Sequence, residues 1–75
     1  MIVDEAKIDE AVLALLQLTL HDGCRAWKGF DFDALRRLHT RGLIENPVGK
    51  TRSVALTAEG LRESERLFEA LFAKR

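Results

Sequence analysis

Seventy-five residues with a formal net charge of zero make one domain, residues 1–75, and its overall charge points to neither nucleic acid nor an anionic membrane as partner. Hydrophobic residues at 47% and charged residues at 32% exclude a disordered chain and describe a soluble globular one. The single cysteine, Cys24, excludes an internal disulfide, and the longest apolar-rich run, Ala11 to Leu20, is too short to span a bilayer, so a cytoplasmic protein with no membrane partner is expected.

The first predicted helix opens at Asp4, an N-cap, with Val3 and Ile8 as a hydrophobic staple across the cap, and runs to about Leu20 or His21. Its start lacks the basic-then-apolar pattern of a secretory signal. At about 100° per residue, its apolar side chains cover an arc of about 220°, whereas one core-facing stripe needs little more than about 100°. The excess, mainly Leu13, Leu16 and Leu20, must be covered. A second copy of the chain is the expected cover, which makes these leucines a candidate homodimer interface. The alternative is that the last helix and residues 24–30 wrap the same face within one chain.

His21 to Gly29 reads as a connector with two glycines, and Arg25 to Phe30 as a short strand with Trp27 packed inward. Asp31 caps the second helix, stapled by Phe30 and Leu35, with Phe32, Leu35 and Leu38 facing a core. Gly42 ends that helix, and Arg41 lies in its last turn, where a cation suits the dipole.

Leu43 and Ile44 read as a strand, Asn46, Pro47 and Gly49 as a turn, and Arg52 to Leu56 as a returning strand with Val54 and Leu56 on its buried face. Thr57 caps the last helix, Ala58 to about Ala73, with Leu56 and Leu61 as its staple. There Leu61, Leu67, Phe68, Leu71 and Phe72 fall within an arc of about 140°, an ordinary amphipathic face. Glu59 with Arg62, and Glu63 with Arg66, make exposed pairs at helical spacing.

The order LRRLHTRGLIE, a basic turn, then SVALTAEG resembles the back half of winged-helix regulators of the MarR and PadR families. In those families a helix ending in a Gly-Leu-Ile/Val step leads into the wing, and a Leu-Thr-x-x-Gly step opens the following helix. The resemblance covers residues 35–62 and implies an α+β, winged-helix-like fold in the order helix, short strand, helix, β-hairpin, helix. No room remains before Asp31 for the further helix that such regulators carry, so the helix-turn-helix is truncated. Over nearly the whole chain, AWKGFDFDAL, GLI, NPVGK and SVALTAEG in that order are similar to a family of short bacterial proteins of unknown function. That likeness implies one small domain and brings no activity with it.

No motif calls for a cofactor, a metal or a small-molecule substrate. Gly49-Lys50-Thr51 lacks the earlier glycine of a phosphate-cradling loop, since Ile44 holds its place, and a strand follows where that loop needs a helix. His21, Asp22, Cys24 and His39 lack the paired spacing of a zinc site, and His39 sits where it complements a helix dipole. Cys24 and His21 have no third group or oxyanion cradle, so no enzyme is expected.

Charge is unevenly spread: residues 1–24 carry −4 and residues 25–52 carry +4. Arg36, Arg37, Thr40 and Arg41 are read as the outward face of the second helix, and Lys50 and Arg52 belong to the wing. So placed, these groups suit DNA phosphates, with helix 31–41 in the major groove and wing 46–52 along the backbone. The rival reading is a protein-interaction or assembly module, a homodimer with no nucleic-acid role.

Overall fold

The computed structural model describes residues 1–74. Five regular elements follow one another: α1 (Glu5–Leu15), β1 (Arg25–Trp27), α2 (Phe32–Thr40), β2 (Ser53–Ala55) and α3 (Ala58–Phe72). Among the described residues the fold is therefore α+β, three α-helices and a two-stranded antiparallel sheet. Among the described residues no helix is long and apolar enough to cross a membrane.

All three helix starts form as their caps dictate. Asp4 Oδ1 accepts from the Lys7 amide at 3.2 Å, Asp31 Oδ2 from Ala34 at 3.0 Å, and Thr57 Oγ1 from Gly60 at 3.0 Å. Each bond satisfies an amide that the helix geometry leaves without a partner. The staples are less uniform. Leu56 with Leu61 and Phe30 with Leu35 join the core, but Val3 and Ile8 stay exposed. The first α-helix also stops at Leu15, short of Leu20, and continues as a tighter 3₁₀ segment, Leu16–Thr19.

The core corrects the interface expectation for Leu13 and Leu16. Leu13 and Leu16 are buried within this one chain, at 1% and 0% exposure, and Leu20 is partly buried against the same core. The physical reason is that α1 packs against both α2 and α3. A helix flanked on two sides needs an apolar arc wider than a single stripe, so the broad arc reports two intrachain neighbours. Ser64 of α3, itself fully buried, fixes one of these contacts by donating its hydroxyl to the Leu13 carbonyl at 2.6 Å. That carbonyl lies in the last turn of α1, where intrahelical partners run out.

In the sheet, β1 and β2 pair with Arg25 opposite Ala55, Ala26 opposite Val54, and Trp27 opposite Ser53. Ala26 and Val54 point into the core. Side chains alternate along a strand, so Trp27 must face the other way. It is 50% exposed, contrary to the inward packing expected of it. Phe32 is likewise half exposed rather than core-facing, while Phe30 packs against the core before the helix begins.

The expected hairpin is reduced to one bridge, Ile44 with Leu56, beside which the Glu45 amide donates to the Ala55 carbonyl at 2.8 Å. Pro47, which has no amide hydrogen, cannot extend the ladder. The main partner of β2 is instead β1, reached through a tight turn in the stretch read as a plain connector. Asp22 and Gly23 both take positive φ there, and His21 and Arg25 exchange backbone hydrogen bonds of 2.8 and 3.0 Å.

The junction between α2 and α3 is built around two glycines. Gly42 at φ +76° closes α2, with the Gly42 amide donating to the His39 carbonyl and the Leu43 amide to that of Leu38. Thr57 Oγ1 then reaches back to the Gly42 carbonyl at 2.7 Å. Gly60 lies so close to Leu43 that a Cβ on it would stand 1.7 Å from the Leu43 carbonyl oxygen. The Leu-Thr-x-x-Gly step thus seats the first turn of α3 directly on the backbone that leaves α2.

Candidate nucleic-acid interface

The basic residues named from the sequence separate into four settings. On the outward side of α2, Arg36 and Thr40 are exposed and line a shallow cleft of about 250 Å³ together with Asp33 and Arg37. Thr40 spends its hydroxyl hydrogen on the Arg36 carbonyl at 3.0 Å, so it retains only acceptor capacity toward a phosphate. Asp33 brings a carboxylate to the same cleft.

Arg37 does not belong to an open binding face, which corrects its assignment as a phosphate contact. Its guanidinium donates from Nε to Asp9 Oδ2 and from Nη2 to Asp9 Oδ1, both at 2.8 Å, and from Nη1 to Glu5 Oε2 at 3.2 Å. The Asp9 side chain is almost fully buried. The hydrogen bonds to Asp9, with the nearby charges of Asp9 and Glu5, raise the Arg37 pKa still further and keep the group charged. Arg37 is the clamp between α2 and α1. A signal for this was present in the sequence: Glu5 and Asp9 are spaced i, i+4 and both fall inside the apolar arc of the first helix, where a carboxylate needs a partner.

Arg41 is exposed at the end of α2. The hydrogen bond from Arg66 lowers the Glu63 carboxyl, and the charge of Arg41 adds to this. That bond forms at 3.1 and 2.7 Å, making Glu63 with Arg66 the one of the two expected helix pairs that closes among the described residues.

Lys50 and Arg52 are exposed in the loop before β2, as their position suggests. Arg52 is joined by residues that the sequence reading assigned to no site. With Trp27, Lys28 and Gly29 it lines an open cleft of about 500 Å³. The surrounding backbone is pinned: the Lys28 amide donates to the Arg52 carbonyl at 2.9 Å, and the Trp27 amide to Thr19 Oγ1 at 3.0 Å. Lys28 Nζ donates to the Pro47 and Gly49 carbonyls at 2.7 and 3.1 Å, tying the loop before β2 to the end of β1. Arg25, also on the outer side of the sheet, is tied to Ser53 through its Nε and Nη2. The signal for this cleft was the alternation itself, since a small Ala26 between two long residues marks the buried position of a strand.

The imidazoles are occupied in the fold. His21 Nδ1 meets the Thr19 carbonyl at 2.8 Å and His39 Nδ1 the Ile44 carbonyl at 2.9 Å. His39 therefore anchors the segment that leaves α2, beyond any effect on the helix dipole.

A family model described as a domain of unknown function, DUF6429, matches residues 4–74. An uncharacterized protein of Sinorhizobium fredii (strain NBRC 101917 / NGR234), y4hR, is 61% identical over 74 residues, which cover 99% of this chain and 100% of that relative. No solved structure matches.

Proposed function

The chain belongs to the DUF6429 family, and we propose that it is a small non-enzymatic nucleic-acid-binding module of winged-helix-like build. The order helix, strand, helix, strand, helix supports that build, as does the pairing of β2 with β1 while the next residue, Leu56, bridges to Ile44. The observation that carries the function is that Arg36, Arg41, Lys50 and Arg52 are all exposed and, among the described residues, none is in a salt bridge. Cations free of internal partners are the ones able to displace counterions from phosphates. Arg37 leaves the proposed set because its charge is consumed within the fold.

A salt titration of binding to a labelled nucleic acid tests the reading. Affinity should fall steeply as salt rises, and Lys50→Ala or Arg52→Ala should weaken binding and flatten the slope by about one counterion each. Binding at low salt no stronger than that of a neutral control protein would overturn it.

A second reading, homodimeric assembly without nucleic acid, is favoured by a different observation. Ile2, Val3 and Ile8 at the start of the chain, and Leu71 and Phe72 at the end of α3, remain exposed. An assembly surface would be built from these side chains, since Leu13 and Leu16 are enclosed. Sedimentation of the wild type against Phe72→Lys tests it: a monomer in both removes the dimer.

A further inference from the structure

We propose that the cleft beside Trp27 receives an unpaired nucleobase stacked on the indole, with the attached phosphate held by Arg52 and Lys28. This rests on the nucleic-acid reading above and names the form of nucleic acid: a single strand rather than a closed duplex. Three features of the cleft support it.

The indole is positioned and half open. His21 lies against it with ring centroids 4.5 Å apart and planes tilted by 35°, while half of Trp27 stays exposed. The Trp27 and Lys28 amides fix the backbone that carries the ring, and His21 is the ring it lies against. A fixed aromatic surface is what base stacking requires, and every base has a face to offer it.

The charge of the lining is complementary to phosphate. Arg52 and Lys28 line the cleft with the ring, and among the described residues no carboxylate lines it. Lys28 gives two of its three ammonium hydrogens to the Pro47 and Gly49 carbonyls and keeps one for a ligand. The size also fits: about 500 Å³ open to solvent, with Gly29 adding no side chain, admits one nucleotide.

Trp27 is the sole tryptophan and the chain has no tyrosine, so its intrinsic fluorescence reports the site directly. The full chain is titrated with a homopyrimidine single strand, with the same strand closed into a duplex, and with thymidine monophosphate. Labelled strands provide a second readout by anisotropy. A single strand should quench Trp27, and Trp27→Ala should weaken its binding about tenfold, with Trp27→Phe retaining part of the affinity. Arg52→Ala should weaken quenching while leaving the tryptophan reporter in place. Matching saturation by the mononucleotide would support the same stacked-base chemistry and identify its source as a free nucleotide. Single-strand binding unchanged by Trp27→Ala, or tight duplex binding without quenching, would overturn the stacking proposal and leave the binding reading intact. No binding of any probe in either readout overturns both. Circular dichroism of each variant keeps a folding defect from being mistaken for a binding one.

Discussion

Arg37 on α2 grips Asp9 on α1 through two parallel hydrogen bonds of 2.8 Å, and this one pair joins the most basic helix of the chain to its most acidic segment. Truncating one partner of a buried ion pair leaves the other desolvated and uncompensated. Arg37→Ala should therefore lower the urea midpoint clearly, whereas Arg36→Ala, at an exposed position, should stay within about 0.5 kcal/mol of wild type. Replacing both partners, Asp9→Leu with Arg37→Met, should recover much of the loss. A double variant no more stable than Arg37→Ala alone would show that the pair is not what holds the two helices.

Gly60 and Gly42 should respond differently to alanine. At Gly60 the new Cβ would meet the Leu43 carbonyl oxygen at 1.7 Å, a backbone atom that cannot yield cheaply. Gly60→Ala should cost about 3 kcal/mol or more as α3 is pushed off its seat. At Gly42 the space is open and only the positive φ resists, so Gly42→Ala should cost about 1 kcal/mol. Chemical denaturation of the two variants measures the contrast, and equal losses would contradict the close approach.

Leu16→Lys separates a buried position from an interface position. Because Leu16 is fully enclosed within the chain, its replacement by a cation should unfold the domain, seen as loss of helical circular dichroism. A folded variant of lower sedimentation coefficient would mean instead that the side chain lies between two copies.

Glu63 gives a pH-dependent prediction. Arg66 lowers its carboxyl below the ordinary value of 4.5 in the folded chain. A depressed acid stabilises the fold above its unfolded pKa, and that contribution disappears as pH falls through the folded one. The pair is exposed, so the effect is small. Wild type should exceed Glu63→Gln in thermal midpoint at neutral pH, and the difference should vanish as the carboxyl protonates below pH 4.5. A difference that grows on acidification would reverse the sign.

Helix positions were legible in the chain because their signals are local. Asp4, Asp31 and Thr57 satisfy amides only three residues ahead, so short windows of sequence contain both donor and acceptor. The same holds for the stop at Gly42, where a left-handed residue is required within a few positions of the last helical turn. The alternation that buries Val54 and Leu56 is equally local.

What surrounds each element was decided only by the tertiary structure. The wide apolar arc of the first helix stated how much surface needed cover, but only the fold shows that Leu13 and Leu16 are enclosed within the chain while Ile8 and Leu18 of the same arc stay exposed. Arg37 and Arg36 are adjacent and chemically identical in sequence; one is spent on a buried carboxylate 28 residues away and the other faces solvent. Trp27 carries apolar area that suits a core, yet strand register turns Ala26 inward and leaves the indole outside. Caps and periodicity depend on bonds within one turn or one strand, so the sequence contains them whole. Burial and pairing depend on which distant surface arrives, and that is set only when the helices close on the sheet.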